Sequence, residues 1–255
     1  MTKSIYISDD LAAIRSQTRE YIEKEIVPRA AAWETGGVPR EVLDDMARLG
    51  FFGLRVPVEH GGIGLGALAS VVFAEELGRS TFGGFSITVL VHTDLAMPYL
   101  TNFGSEDQKA RWLPGMVTGE VLTAIAVTEP DAGSDVAAMR TTAQREGDGF
   151  VINGTKMFIT NGGIADVVFV AARTDSAAKG SRGISIFAVE KDTPGFKASR
   201  ALEKMGWHSS DTAELVFEDV WVPEFNLVGE ENQGFYYIMS NFQNERLAIM
   251  GQGLG

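Results

Sequence analysis

The sequence predicts a segregated α+β protein, and three observations carry that prediction. Over roughly the first 120 positions, apolar residues recur at helical spacing. Near Val121 the period changes to alternation, which holds to about position 222. From Asn232 the helical pattern returns and runs to the last residue. Helices, then strands, then a helix argue against a wound parallel sheet.

The elements follow in order. Ser8 caps a first helix, with Asp9 and Asp10 in its first turn, the favourable sign for the helix dipole. Leu11, Ile14, Thr18, Tyr21, Ile22 and Ile26 keep its spacing. Pro39 opens a second helix, with Val42, Leu43, Met46 and Leu49 on one face and Gly50 as its stop. The stretch "HGGIGLG", 60–66, reads as a loop, and helical patterns resume at 67–79 and 85–102. Ser105 and Gln108 stand at capping-box spacing before another short helix. Candidate strands are 121–128, 137–145, 150–160, 166–173, 183–190 and 213–222. The turn "EGDGF", 146–150, suits a hairpin, and 174–183 reads as a loop. The last helix carries an apolar stripe of Phe235, Ile238, Met239, Phe242 and Ile249. Such a face needs a partner. The first helices are one candidate. Further helices or another subunit are others, and with no evident cap at "GQGLG" a truncated chain is expected.

Composition narrows the function classes. Of 255 residues, 45% are hydrophobic and 22% charged, as in ordinary globular proteins. The net charge of −12 argues against a nucleic-acid footprint. With no cysteine there is no disulfide, thiolate zinc site or cysteine nucleophile. Three histidines without ligand spacing give no metal site. No apolar run approaches the ~20 residues of a transmembrane segment, and Asp9 and Asp10 sit where a signal peptide needs its apolar core. The expected location is cytoplasmic.

Three stretches hold candidate chemistry. "AVTEPDAGSD", 126–135, leaves an apolar strand by a polar, sharply turning route. Thr128 and Ser134 offer hydroxyls there, and Gly133 allows close backbone approach to a ligand. Its plain reading is an Asx-rich surface turn, and Glu129 and Asp131 argue against a bare phosphate site. In "KMFITNGG", 156–163, alternation puts Phe158 and Thr160 on one side of a strand, a ring beside a hydroxyl. Its plain reading is a half-buried strand ending in a turn. In the last helix, Glu245 shares a face with Phe235, Ile238, Phe242 and Ile249. A carboxyl in apolar surroundings has its pKa raised, which suits a general base. A buried salt bridge is the alternative. "GGIGLG" lacks a preceding strand and is rejected as a nucleotide loop. His92 reads as core and His208 as a polar loop or strand-edge residue.

The order and spacing of these stretches are more telling than any one of them. "FGSEDQKARWLPGMVTGE", "AVTEPDAGSD", "INGTKMFITNG", "KMGWHSSDTAELVFEDVWVP", "GEENQGF" and "NERL" together resemble the acyl-CoA dehydrogenase flavoproteins, over essentially the whole chain. The resemblance implies an N-terminal helical domain, 1–120, and a middle β-barrel domain, 121–228. The remainder, 229–255, would be the first helix of a C-terminal helical-bundle domain whose other helices are absent. It implies FAD as cofactor, an acyl-CoA thioester as substrate, electron-transfer flavoprotein as acceptor, and a homotetramer or hetero-oligomer in fatty acid metabolism. By the same resemblance Ile125, Ala126, Val127, Thr128, Gly133, Ser134, Phe158, Ile159 and Thr160 contact the cofactor. Phe158 stands where Trp is frequent, and Thr160 would lie near flavin N5. Ser134, Gln243, Asn244 and Arg246 contact substrate, with Gln243 in place of a frequent Asp. Members of the isovaleryl-CoA and long-chain types carry their catalytic base at the position of Glu245. A flavin oxidase or monooxygenase, or a non-catalytic CoA-binding subunit, would share the same fold.

Overall fold

Helix α1, Asp9–Tyr21, starts where the sequence places it, with the Ser8 hydroxyl accepting the Leu11 N–H at 3.2 Å. This is a computed structural model, and it describes residues 6–178 and 180–255. Lys179 of the expected 174–183 loop and the first five residues lie outside the described residues. A π-helical turn, Ile22–Ile26, extends α1. Helix α2, Arg40–Arg48, buries Val42, Leu43 and Met46 and ends at Gly50, whose φ of 81° is left-handed. Helix α3 is Ala67–Gly78 and α4 is Gly83–Leu90. The predicted 85–102 helix is thus continuous but uneven: a π-helical segment, Val91–Ala96, joins α4 to α5, Met97–Phe103. Helix α6, Glu106–Val117, has the full capping box from Ser105 and Gln108.

The sheet begins with β1, Thr123–Ala126, parallel to β4, Val167–Arg173. Strand β2, Thr142–Glu146, forms a hairpin with β3, Gly149–Thr160, and β4 pairs antiparallel with β5, Ile184–Glu190. Two strands escaped the periodicity: β6, Phe196–Ala201, and β8, Leu227–Val228. The hydrogen-bonded order is β6-β7-β3-β2-β4-β5-β8, with β7 at Thr212–Pro223. The expected barrel is therefore an open sheet, with β6 and β8 not paired to each other among the described residues. A physical reason is visible at β8. A 3₁₀ turn, Glu224–Asn226, ends β7, and the Gln108 amide takes the carbonyls of Phe225 and Leu227, at 2.5 and 2.8 Å.

Strand β4 shows how the sheet is seated. Val167, Phe169 and Ala171 pack with α5 and α6, while Val168, Val170 and Ala172 pack on the opposite face with β3 and β7. Both faces are buried, so β4 is an unbroken apolar run rather than an alternating one. Helix α7, Gly234–Leu254, packs Phe235, Ile238, Met239 and Phe242 against the cluster of α5, α6 and the sheet, and its C-terminal half lies across α3. Small residues permit this. A Cβ at Gly251 would come within 2.8 Å of the Val71 carbonyl oxygen, and one at Gly78 within 2.1 Å of that of Gln252. Ile238 is fully buried against the sheet cluster, whereas Ile249 stays partly exposed. No helix of the described residues is long and apolar enough to cross a membrane.

Candidate active site

Three elements enclose a cleft of about 420 Å³. The first wall is the exit from β1. Ile125, Val127, Thr128, Gly133 and Ser134 line the cleft, with Val136 beyond them. This turn is built around a buried ion pair. Lys156, on β3 and without solvent exposure, donates to the Val127 carbonyl at 3.0 Å and to Glu129 Oε1 at 2.8 Å. The Glu129 carboxylate also accepts the N–H groups of Arg140 and Thr141, at 2.6 and 2.9 Å. Burial works to raise the Glu129 carboxyl, but Lys156 and these donors outweigh it and hold it below its ordinary value. Burial pushes the Lys156 ammonium down to about 8 against the opposing pull of Glu129. Near neutrality both groups are charged.

The brace explains two departures from expectation. Strand β1 ends at Ala126 and not at 128, because Lys156 takes the Val127 carbonyl and the Met157 N–H takes that of Thr128. The expected 137–145 strand starts only at Thr142. Val136–Ala138 is a 3₁₀ turn, and the N–H groups of 140 and 141 go to a carboxylate instead of a strand partner.

The second wall is β3, and it corrects the alternation argument. The β3–β7 register shifts between Lys156 and Ile159, and Phe158 sits at φ 62°. A positive φ on a bulky residue is strained, and bulges of this kind re-aim side chains. Here the bulge turns Phe158 outward, 66% exposed, and places Phe158 and Ile159 together on the cleft. Thr160 is half-buried opposite Thr212 of β7 and does not line the cleft.

The third wall is α7, with Phe242, Glu245 and Arg246 facing in. Burial pushes the Glu245 carboxyl up to about 7, against a hydrogen bond from Asn241 and the nearby charge of Arg246. Asn241 Nδ2 donates to Glu245 Oε1 at 2.7 Å. Glu245 is therefore not in the salt bridge that the plain reading offered, among the ion pairs of the described residues. Arg246 stacks on Phe242, its guanidinium 5.4 Å from the ring centre. Ala126, fully buried at the end of β1, does not line the cleft; nor do the exposed Gln243 and the half-buried Asn244. His208 lies away from the cleft, with its Nε2 2.7 Å from the Lys204 carbonyl oxygen.

Sequence reasoning missed the Lys156–Glu129 brace and Asn241. The first had a signal. Phe150, Ile152 and Lys156 share the parity of an inward face, and a lysine there requires a buried partner. Asn241, four residues before Glu245, gave none.

Fold and cleft define a class: a helical domain, a β-sheet domain and a further helix that brings a carboxyl of raised pKa to a cleft at their junction. Residues 8–120 match the acyl-CoA dehydrogenase N-terminal domain and 124–220 the acyl-CoA dehydrogenase middle domain. The chain belongs to the acyl-CoA dehydrogenase family. It is 44% identical over 239 residues to the long-chain specific acyl-CoA dehydrogenase of Mus musculus mitochondria, covering 92% of this chain and 55% of that one. The mitochondrial isovaleryl-CoA dehydrogenase of Pongo abelii is 39% identical, covering 98% and 60%. A crystal structure of acyl-CoA dehydrogenase from Geobacillus kaustophilus superposes with a TM-score of 0.93 at 45% identity, covering 98% and 66%. The chain thus spans little more than half the length of these curated relatives.

Proposed function

We propose that the protein catalyses α,β-dehydrogenation of an acyl-CoA thioester to a trans-2-enoyl-CoA, with Glu245 as the base. One observation carries this: Glu245 faces the cleft with its carboxyl raised to about 7, opposite Thr128, Ser134 and the bare ring of Phe158. A base of that pKa is half-ionised near neutrality, where proton transfer is most effective.

The cleft fits FAD, on which the family depends. Phe158 presents an uncovered ring for stacking. Thr128 and Ser134 offer hydroxyls, and a Cβ at Gly133 would meet nothing within 4 Å, so backbone there faces open space. Ile125, Val127 and Ile159 provide apolar contact, while Ala126 and Thr160 support the wall from behind. When bound, FAD supplies at N5 the acceptor for the β-hydride.

The chain's own residues do the rest. Glu245 receives the α-proton. Phe242 and Ile125 keep water from the carboxyl, which maintains its basicity. Ser134 and Arg246, on the cleft, bind the thioester side, while Gln243 and Asn244 stand off the cleft on the same helix. The Lys156–Glu129 brace fixes the Thr128–Ser134 turn, so its donors are aligned before substrate arrives. The domain limits of 1–120, 121–228 and 229–255, a cytoplasmic tetramer, and electron-transfer flavoprotein as acceptor belong to the same reading.

The test is anaerobic titration of the FAD-loaded protein with a panel of acyl-CoAs. Flavin bleaching by some thioesters is expected, and Glu245→Gln should slow it by roughly 10²–10⁴-fold. A Glu245→Gln protein that bleaches at the native rate rejects the assignment of the base.

A further inference from the structure

We propose that Asn241 is a positioning residue for Glu245: its amide, anchored on the Leu95 carbonyl, holds Glu245 Oε1 and leaves the other carboxyl oxygen to receive the proton. This rests on Glu245 being the base.

The geometry leaves the amide little choice. Asn241 is buried, with 1% exposure. Its Nδ2 lies 2.8 Å from the Leu95 carbonyl oxygen and 2.7 Å from Glu245 Oε1. Both neighbours are acceptors when Glu245 is ionised, so the NH₂ group must face them and the amide oxygen must face away. That oxygen meets no hydrogen-bond partner among the described residues, and the buried Tyr99 hydroxyl lies close to the same amide. The amide is thus anchored through its two N–H donors. Leu95 belongs to the π-helical segment Val91–Ala96, one residue before it gives way to α5. Such segments recur at functional sites. Here it presents a carbonyl to α7 across the helix contact, and the carbonyl fixes a side chain that fixes the base. With Oε1 occupied by an N–H, a proton taken from substrate goes to Oε2.

The groups around Glu245 support a single dominant donor. On α7 the nearby charge is Arg246. From α5, the buried Tyr99 hydroxyl feels the Glu245 charge and lies close to the Asn241 amide. On the π-helical segment, Asp94 turns to the Thr93 hydroxyl and Arg55, and His92 to Thr123 and the Met116 carbonyl. On α3, Glu75 and Glu76 are taken by Arg15, Arg19 and Arg79. On β5, Glu190 is taken by Arg111 and Trp112. An N–H donated to the ionised carboxyl favours that form, so Asn241 restrains the rise that burial imposes.

The experiment is a pH titration followed by NMR, reading the Glu245 side-chain carboxyl carbon and the Asn241 side-chain amide together, with Glu245→Gln to assign the carboxyl. In the wild-type protein the Asn241 amide protons should shift with the Glu245 midpoint, and the shift should vanish in Glu245→Gln. In Asn241→Leu the Glu245 midpoint should rise by about one pH unit. An Asn241 amide that stays flat through the Glu245 titration overturns the proposal, and that result needs no folded Asn241 variant. An unmoved midpoint in folded Asn241→Leu overturns it as well. If Glu245→Gln still bleaches flavin at the native rate, Glu245 is not the base. The positioning role then falls too, but with the amide coupling intact, so the two failures are distinct.

Discussion

Two carboxylates, one buried behind the wall of the cleft and one half-buried on it, have surroundings that give them opposite characters. Glu129, in the turn after β1, has a lysine at 2.8 Å and two backbone donors, and its carboxyl is held below its ordinary value. Glu245, on α7, sits among apolar side chains with one amide donor, and its carboxyl is pushed up to about 7. Burial acts on both in the same direction. The count of donors and the presence of a counter-charge decide the outcome. The first carboxylate is locked as an anion and serves the architecture. The second is left close to neutrality and is available for chemistry.

The comparison breaks most sharply at Lys156. Lys156→Met leaves Glu129 buried without its counter-charge, at a cost of about 3–5 kcal/mol in urea unfolding. Adding Glu129→Leu should recover part of that loss, because no buried charge then remains although the Arg140 and Thr141 N–H groups lose their acceptor. If the single variant unfolds like the wild type, Glu129 is not the locked carboxylate described.

Glu245 gives the next effect, with a defined sign. Its carboxyl titrates at 4.5 ordinarily and at about 7 in the fold. Below 4.5 both states hold the proton and the group is neutral to stability. Between 4.5 and about 7 the unfolded chain ionises first, so stability falls as pH rises. Above 7 the loss is complete, up to about 3 kcal/mol. Glu245→Gln should therefore match the wild type in unfolding at pH 4 and exceed it at pH 8. Equal differences at both pH values would mean that the carboxyl is not raised.

Phe158 sharpens the contrast between structure and site at the smallest scale. Phe158→Ala removes the ring and should weaken FAD binding about fivefold, the equivalent of about 1 kcal/mol. Phe158→Gly should weaken it similarly yet gain about 1 kcal/mol in unfolding over Phe158→Ala, since glycine carries a positive φ without strain. FAD affinity and unfolding midpoints of the two variants separate ring from backbone.

The sequence showed the order of the layers and nearly every helix start, because caps and periodicity are local. Ser8, Pro39 and Ser105 each mark a boundary in a few residues. Strand ends were less legible. β1 stops early and β2 starts late because distant side chains, Lys156 and Glu129, take backbone groups that a ladder would use. β6 has a mixed sequence, "FKASRA", without the alternation that marks its neighbours. At the cleft, Glu245 stood out as a polar interruption of an apolar stripe. The grouping of Phe158 with Thr160 was misleading, since a bulge shifts the parity between them. Asn241 was invisible, because its role depends on a carbonyl 146 residues earlier.

That last separation bears on how the cleft comes into being. The Lys156–Glu129 contact closes a loop of 27 residues, whereas the Asn241–Leu95 contact closes one of 146. Chain-closure entropy makes the longer one dearer by about 1.5 kcal/mol. The cofactor wall is thus a local product of neighbouring strands, while the base is delivered by the meeting of α7 with the N-terminal helices. In native-state hydrogen exchange, α7 should open ahead of β3, so the molecule loses its reactive carboxyl while the cradle for the flavin still stands.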